Sequence, residues 1–247
     1  MENKVIKGDC LEVMKTIPDK SIDMILCDLP YGTTSCKWDT IIPFEPLWEQ
    51  YKRIIKDNGA IVLTASQPFT TALIASNYDL FKYVWIWKKS RTTGFQIAKY
   101  RPMKQHEDVC IFYKKQPTYN QTLTKLEKPI KSWRKNGKGG NLMTGMKADN
   151  DKNRVQLYTG FNRDIIEIDS EHNANAHPTQ KPVALFEYLI KTYTNEGDLV
   201  LDNCAGSGTT GVACKNTNRN YILIEKEPEY IEIINKRLNT LKQDKLL

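Results

Sequence analysis

Short apolar runs alternate with amphipathic helical segments along the chain, and this alternation restricts the folds that it can form. Residues 24–28 (MILCD), 60–65 (AIVLTA) and 221–225 (YILIE) are largely apolar runs of strand length. Residues 44–57 and 182–193 place apolar side chains at helical spacing. The alternation predicts an α/β protein, in which layers of helices cover a sheet.

Residues 115–175 interrupt this pattern. They are rich in Lys, Asn, Gly and Thr and contain few sustained apolar runs. A structureless loop of that length is improbable inside a compact domain. We therefore predict an inserted functional region at 115–175, with 1–114 and 176–247 as the two parts of the main domain.

Composition and cysteine spacing exclude several classes of protein. The 247 residues are 40% hydrophobic, which is enough to build a core. No apolar run approaches the roughly 18 to 20 residues of a membrane span, and the start lacks the apolar segment of a signal peptide. The six cysteines form no C-x-x-C pair and lie near no histidine at metal-ligand spacing. We expect a cytoplasmic protein with no membrane span and no metal site.

The charge is segregated along the chain. Residues 82–104 hold seven Lys and Arg and no acid, and residues 114–163 hold twelve against three acids. These two stretches carry +7 and +9 of a net charge of +7, so the remainder of the chain is acidic. A basic run can be a solvated surface, but interleaved aromatic and glycine residues favour nucleic acid as the partner.

A glycine-rich segment follows the predicted strand at 198–203. It runs from Asp202 to Gly211, and Glu225 ends the next strand. The pattern Gly206-x-Gly208-x-x-Gly211 is typical of dinucleotide sites, so an NAD-dependent dehydrogenase is one interpretation. Only one strand and one helix follow, however, and the Asp202 carboxylate would repel a pyrophosphate. A cationic ligand with an amino group, such as S-adenosylmethionine, fits better.

A second carboxylate lies at a strand end, in Asp28-Leu29-Pro30-Tyr31. Alone, such an aspartate is most often a helix cap or a solvated loop residue. Here it belongs to an ordered set of motifs, which are Gly8-Asp9-Cys10, Asp28-Leu29-Pro30-Tyr31-Gly32, a variable basic region, His177-Pro178-Thr179-Gln180-Lys181-Pro182, and Asp202 to Gly211.

In this order the motifs resemble the β class of amino-methylating DNA methyltransferases, most closely the N6-adenine enzymes. The resemblance covers nearly the whole chain outside 115–175. It implies a doubly wound, mostly parallel, Rossmann-like methyltransferase sheet in circularly permuted order. It also implies that 115–175 is the target-recognition region, that 1–114 holds the target base and that 176–247 binds S-adenosyl-L-methionine.

The resemblance assigns cofactor roles to individual residues. Glu225 would hold the ribose, Asp202 the amino group, Asp9 and Cys10 would border the adenine, and Thr179 with Lys181 would close the methionine end. The full predicted cofactor-binding set is Asp9, Cys10, Asp28, Thr179, Lys181, Asp202, Cys204, Ala205, Gly206, Ser207, Gly208, Thr209 and Glu225.

The catalytic prediction rests on the chemistry of an aromatic amine, whose lone pair is delocalised into its ring. An enzyme must accept both N–H hydrogens to turn that lone pair toward a methyl donor. The Asp28 carboxylate and the Leu29 carbonyl are suited to this. Tyr31 would stack on the flipped base, and Pro30 would stiffen the loop. The usual family motif has proline where this chain has Leu29, but leucine also supplies a carbonyl.

Several reactions remain as alternatives. The chain contains no Pro-Cys pair, which excludes C5-cytosine methylation. Asp28 favours N6-adenine over N4-cytosine, and a methyltransferase acting on RNA or on protein glutamine is a further alternative. A non-enzymatic DNA-binding module is disfavoured, because it would need neither predicted site.

Double-stranded DNA is the predicted partner, and the resemblance leaves open a homodimer and a companion restriction endonuclease. The predicted DNA-binding residues are Lys88, Lys89, Arg91, Arg101, Lys131, Arg134, Lys135 and Lys138.

Overall fold

The computed structural model describes residues 2–34, 39–131, 155–169 and 180–243. The chain divides into two compact units, which are described separately. The larger unit comprises Met1–Asn120 and Asp164–Leu247, and the smaller one comprises Gln121–Arg163.

Strands and helices alternate along the larger unit, as the sequence predicts. The strands are β1 (Lys4–Lys7), β2 (Ile22–Asp28), β3 (Ile55–Ala65), β4 (Phe81–Thr93), β5 (Lys104–Phe112), β8 (Ile165–Glu167), β9 (Leu199–Asp202) and β10 (Asn220–Glu225). The helices are α1 (Cys10–Met14), α2 (Phe44–Ile54), α3 (Phe69–Ser76), α4 (Val183–Tyr193), α5 (Thr209–Asn216) and α6 (Pro228–Gln243). None of the helices formed by the described residues is both long and apolar enough to cross a membrane.

The eight strands form one sheet in the order β1-β10-β9-β2-β3-β5-β4-β8. All neighbouring strands pair in parallel except β5, which is antiparallel to both β3 and β4. Strand β9 enters late in the chain but lies in the middle of the sheet, beside β2. The sheet is therefore mostly parallel and permuted, which confirms the predicted fold class.

Helices cover both faces of the sheet. Along β2, Met24 and Leu26 belong to the apolar core that contains α4, α5 and α6 residues, and Ile25 and Cys27 belong to the core under α1, α2 and α3. Successive strand residues point to opposite faces, so an unbroken apolar run is the pattern of a strand buried on both sides. The two cores establish the doubly wound arrangement.

One predicted boundary is wrong. The helix expected over residues 44–57 ends at Ile54, and β3 begins at Ile55. Asn58 and Gly59 lie in an irregularity of β3, where the pairing with β2 shifts between Ile22↔Ile55 and Met24↔Ala60. Asn58 and Gly59, which are residue types typical of turns, therefore form a bulge within β3.

The smaller unit, residues 121–163, comprises fewer residues than the insertion predicted at 115–175. It contains an antiparallel pair, β6 (Thr124–Lys131) and β7 (Val155–Thr159). Residues on either side belong to the larger unit. The Asn120 N–H donates to the Thr192 carbonyl at 2.8 Å, and β8 pairs with β4.

Candidate active site

A cavity of 570 Å³ opens at the carboxyl ends of the central strands. Asp28 ends β2 and Asp202 ends β9, and these two parallel strands are neighbours at the point where the strand order reverses. Such a switch point is the usual ligand site of an open α/β sheet. The volume lies within the range of cavities that hold ligands of cofactor size.

Asp202 organises the glycine-rich turn at one end of the cavity. Its Oδ1 accepts the Cys204 N–H at 3.0 Å, and its Oδ2 accepts the Thr210 hydroxyl. The carboxylate is 3% exposed, and burial raises its pKa to about 6 despite these hydrogen bonds. A cationic ligand group would favour the ionised form.

Glu225 supports the same turn from the end of β10. Its Oε2 accepts the Gly206 N–H at 2.8 Å and its Oε1 accepts the Glu227 N–H at 2.9 Å. Burial raises the pKa of Glu225, although these backbone donors oppose the shift. A carboxylate has about four lone-pair sites, so Glu225 keeps capacity to accept from a ribose hydroxyl. A Cβ on Gly206 would meet no described atom within 4 Å, which leaves the turn open for a ligand.

Asp9 and Cys10 border the cavity where α1 begins. Asp9 is the helix N-cap and accepts the Leu11 N–H at 2.9 Å. A hydrogen bond with Cys204 and burial raise the pKa of the Cys10 thiol. The thiol is therefore neutral and contributes a weakly polar wall rather than a nucleophile.

Asp28 lines the same cavity and is held by three side chains. Its Oδ1 accepts the Tyr31 hydroxyl at 2.6 Å and also the Thr64 hydroxyl. Its Oδ2 accepts from Lys181 Nζ at 2.7 Å. Because Thr64 is the β3 neighbour of Asp28 in the sheet, the pairing of two strand ends fixes this carboxylate.

The Tyr31 ring stacks on Phe69, with ring centroids 5.1 Å apart and planes inclined by 25°. Lys181 Nζ lies 5.4 Å from the Tyr31 ring centroid. Burial, followed by the carboxylates of Asp28 and Glu107, raises the pKa of Tyr31 well above its usual value. Tyr31 is therefore a neutral donor to Asp28.

Lys181 lies between two carboxylates. Its side chain is 7% exposed, and Nζ is 2.7 Å from Asp28 Oδ2 and 3.2 Å from Glu107 Oε2. Burial alone would lower the pKa of Lys181, but the two carboxylates outweigh burial and raise it. Glu107 in turn pairs with Lys89 through Oε1.

Asp39 shapes the loop that follows the tetrapeptide. Its carboxylate accepts the N–H groups of Gly32, Thr33 and Thr34 at 2.8, 2.9 and 2.7 Å. Burial opposes ionisation, but these donors and the Thr34 hydroxyl outweigh it, so the pKa of Asp39 lies below its usual value. The loop beside Tyr31 is therefore tied to a charged residue.

Most of the predicted site residues line this one cavity. They are Asp9, Cys10, Asp28, Leu29, Pro30, Tyr31, Lys181, Asp202, Cys204, Ala205, Gly206, Ser207, Thr209 and Glu225. Gly208 is placed differently, because a Cβ there would lie 2.9 Å from the Ile234 side chain. It caps α5 and packs against α6 instead of lining the cavity. Thr179 lies outside the described residues.

The predicted DNA-binding residues are dispersed. Lys89 and Arg91 line the cavity, and Lys89 is paired with Glu107. Lys88 pairs with Glu167 at 2.8 Å, and Arg101 is exposed between β4 and β5. Lys131 ends β6, and Arg134, Lys135 and Lys138 lie outside the described residues.

Sequence reasoning missed Thr64, Phe69 and Glu107. Thr64 could have been found as the polar residue of an otherwise apolar strand next to the one that ends at Asp28. Phe69 looks like an ordinary apolar helix residue. Glu107 is an acid just before the apolar run of β5, and only the sheet order brings it to Lys181.

Comparison with known proteins agrees with this geometry. The family model described as "DNA methylase", N6_N4_Mtase, matches residues 22–236. Type II methyltransferase M.HpaI of Haemophilus parainfluenzae is 28% identical over 257 residues, covering 97% of this chain and 75% of that protein. Type II methyltransferase M.HinfI of Haemophilus influenzae is 31% identical over 273 residues, covering 97% and 69%.

Solved structures share the fold. The M1.HpyAVI-SAM complex has a TM-score of 0.64 and 26% identity, covering 96% of this chain and 98% of that one. The cytosine-N4-specific PvuII DNA methyltransferase has a TM-score of 0.69 at 18% identity, covering 96% and 86%, and shows the fold alone. With the family model spanning most of the chain, the predicted family is confirmed, and the protein belongs to the N6_N4_Mtase family of DNA methylases.

Proposed function

We propose that this enzyme transfers a methyl group from S-adenosyl-L-methionine to the N6 amine of an adenine flipped out of double-stranded DNA at a specific sequence. The observation that carries the proposal is the single cavity that joins Asp28 and its tetrapeptide to the glycine-rich turn and Glu225. A methyl acceptor and a methyl donor can therefore lie in the same space.

The turn end of the cavity suits the donor. Glu225 offers oxygen lone pairs to ribose hydroxyls, Asp202 offers negative charge to an ammonium group, and Gly206 leaves space for the chain between them. When bound, S-adenosyl-L-methionine supplies an electrophilic methyl group on a sulfonium. The relative named as a SAM complex supports this choice of donor.

Asp28 and Leu29 act on the acceptor. The Asp28 carboxylate accepts one N–H of the target amine, and the Leu29 carbonyl accepts the other. This draws the nitrogen lone pair away from the aromatic ring and toward the donor. As the nitrogen becomes positive during the transfer, the fixed negative charge of Asp28 stabilises it.

Tyr31 and Thr64 orient the Asp28 carboxylate. Both hydroxyls donate to Oδ1, which fixes the carboxylate plane before the base arrives. Preorganised acceptors cost little reorganisation when the reaction occurs. The tetrapeptide thus supplies the acceptors and β3 supplies part of their support.

Basic segments of the chain would bind the DNA. We assign target recognition to the insertion predicted at 115–175, of which 121–163 forms the smaller unit. Basic residues of 88–104 would also contact the DNA; contacts to phosphates would position the duplex, and contacts to base edges would select the sequence.

Three further assignments belong to this proposal. The relatives named Type II methyltransferases support a companion restriction endonuclease with the same target sequence. A cytoplasmic enzyme would meet both DNA and the methyl donor. Homodimer formation is tested by light scattering of the purified protein.

The deciding experiment incubates the protein with S-adenosylmethionine and unmethylated genomic DNA and then analyses the nucleosides by mass spectrometry. We expect N6-methyldeoxyadenosine. N4-methyldeoxycytidine would contradict the base assignment and keep the mechanism, because Asp28 and Leu29 can accept either amine. A product found only with RNA or a protein substrate would contradict DNA as the substrate.

A matched pair of variants links the product to the site. We expect Asp28→Ala to abolish the product, and calorimetry measures its affinity for S-adenosylmethionine separately, because Asp28 also belongs to the predicted cofactor-binding set. The control, Asp79→Ala, changes an exposed aspartate outside the cavity and retains activity. An active Asp28→Ala variant would reject this site.

A further inference from the structure

Four charged side chains alternate in sign along one wall of the cavity. Lys89 pairs with Glu107, Glu107 lies 3.2 Å from Lys181, and Lys181 donates to Asp28 at 2.7 Å. The side chains of Lys89, Glu107 and Lys181 are 18%, 13% and 7% exposed, so water screens these pairs only weakly. The proposed reaction uses Asp28 and gives Glu107 no task.

In this arrangement Asp28 has little capacity left for a target amine. A carboxylate offers about four lone-pair sites, two on each oxygen. The Tyr31 and Thr64 hydroxyls occupy Oδ1, and Lys181 occupies one site of Oδ2. An amine N–H would therefore have to bind Oδ2 directly beside a protonated ammonium group.

The Lys181 ammonium also opposes the chemistry. A positive charge 2.7 Å from Oδ2 neutralises the carboxylate that is expected to stabilise positive charge on the amine. We therefore expect methyl transfer to be faster when the Lys181 ammonium has moved away from Asp28.

The Glu107 carboxylate is a second partner that can bind the Lys181 ammonium. Its Oε2 is buried and lies 3.2 Å from Lys181 Nζ, a longer contact than the 2.7 Å between Lys181 Nζ and Asp28 Oδ2. Buried carboxylate oxygens normally have close donors, so Oε2 can accept a shorter contact from the same ammonium. Oε1 is already satisfied by Lys89, which leaves Oε2 for Lys181.

We propose that Glu107 is a positioning residue that takes the Lys181 ammonium from Asp28 when the target amine enters, and so frees Asp28 Oδ2 to accept the amine. The proposal rests on the proposed function and adds a step before the methyl transfer. No proton changes place, because Lys181 stays protonated and exchanges one carboxylate partner for another. Lys89 remains on Oε1 throughout.

The test compares Glu107→Gln with Glu107→Asp. Glutamine keeps the shape and loses the charge, whereas aspartate keeps the charge and withdraws it by one methylene. The rate of methyl transfer is measured under single-turnover conditions, with enzyme in excess over unmethylated genomic DNA and with radiolabelled S-adenosylmethionine. Calorimetry measures binding of S-adenosylmethionine to each variant.

We expect the transfer rate of Glu107→Gln to fall by about tenfold or more, with the affinity for S-adenosylmethionine unchanged. Glu107→Asp should lie between Glu107→Gln and the wild type, because it still attracts Lys181. The control Glu167→Gln removes the partner of Lys88, a neighbouring residue of β4, and should transfer at the wild-type rate.

Three results would overturn the proposal. One is a wild-type rate in Glu107→Gln. Another is a rate of Glu107→Asp below that of Glu107→Gln, because loss of packing would then explain the effect. The third is a loss of S-adenosylmethionine affinity that accounts for the loss of rate. A wild-type enzyme that methylates no DNA would reject the proposed function itself, which distinguishes the two failures.

Discussion

Asp28 depends on donors from three separate parts of the chain, namely its own loop, β3 and the segment before α4. The Tyr31 hydroxyl donates at 2.6 Å and its ring stacks on Phe69. Tyr31→Phe keeps the ring and removes only the donor. Hydrogen bonds to charged groups contribute about 1.5 to 3 kcal/mol, so we expect the transfer rate to fall by about tenfold or more.

Single-turnover assays of Tyr31→Phe check this expectation, with S-adenosylmethionine affinity measured in parallel. Tyr78→Phe is the matched control, because Tyr78 is 73% exposed and lies outside the cavity. A Tyr31→Phe variant with the wild-type rate would show that Asp28 does not need this donor.

The raised pKa of Asp202 predicts that the free energy of unfolding depends on pH. Burial raises its pKa from 3.8 to about 6 in the folded protein, so folding favours the protonated form. Between about pH 4 and pH 6 the folded state holds a proton that the unfolded state has lost, and stability from this residue falls as pH rises through that window. Above pH 6 the buried charge costs about 2 to 3 kcal/mol.

Asp202→Asn removes that cost and keeps an acceptor for the Cys204 N–H. We expect its melting temperature to exceed that of the wild type at pH 7.5, and the difference to disappear near pH 4. Affinity for S-adenosylmethionine should fall, because Asp202 is the proposed partner of its ammonium group and asparagine carries no charge. Equal melting curves at pH 7.5 would contradict an unfavourable buried charge.

The sequence reveals those site residues that end apolar runs. Asp28, Asp202 and Glu225 each follow a buried strand, so their position at one edge of the sheet could be predicted. The partners of these residues could not. Lys181 contacts Asp28 across 153 positions of sequence, and Glu107 reaches Lys181 only because β5 lies between β3 and β4. Pairing of that kind depends on the order of strands, which local patterns do not encode.

At the scale of elements, the start of α5 shows how one turn serves both stability and binding. Gly208 has φ +82° and a Cβ there would lie 2.9 Å from Ile234, whereas Gly206 has φ +50° and open space around it. Both positions favour glycine because of positive φ. Only Gly208 adds a steric clash with α6.

We therefore expect Gly208→Ala to lose more stability than Gly206→Ala, by about 1 kcal/mol or more. Gly206→Ala should chiefly weaken S-adenosylmethionine binding, because its methyl group enters ligand space. Urea unfolding and calorimetry measure the two effects. If Gly206→Ala proved the less stable variant, the assignment of α6 as the steric neighbour of Gly208 would be wrong.

The end of β4 together with its connection to β5 is the part of the larger unit that is expected to meet DNA. Lys88 and Lys89 are paired with carboxylates, so Arg91 and Arg101 give the more direct test. Arg91→Gln with Arg101→Gln should weaken DNA binding and reduce the slope of log affinity against log salt by about 1 per lost phosphate contact.

The control for this pair is Lys52→Gln with Lys236→Gln, which removes the same charge from α2 and α6. Both lysines are exposed and lie outside the cavity. Titrations at several salt concentrations compare the double variants. An equal loss of affinity in both would indicate a general charge effect and contradict a DNA surface on this connection.

At the scale of the whole molecule, the two units differ in their share of the apolar core. Both apolar cores consist of residues from the larger unit, and none of their described members lies in 121–163. The two residues of the larger unit that flank 121–163 are held within that unit, since the Asn120 N–H donates to the Thr192 carbonyl and the Asp164 carbonyl accepts from the Ile86 N–H. All the described residues that line the cavity likewise belong to the larger unit.

Replacing residues 121–163 with a short Gly-Ser linker should separate the binding of S-adenosylmethionine from the recognition of DNA. We expect the variant to keep a cooperative thermal transition and to bind S-adenosylmethionine within a few-fold of the wild type, because none of the described core or cavity residues lies in 121–163. It should bind DNA weakly and methylate none, because the basic insertion proposed to recognise the target is gone. Circular dichroism, calorimetry and nucleoside mass spectrometry provide the three measurements. A variant that still methylates DNA at the wild-type rate would place target recognition in the larger unit, and one that no longer binds S-adenosylmethionine would show that the cofactor site depends on the insertion.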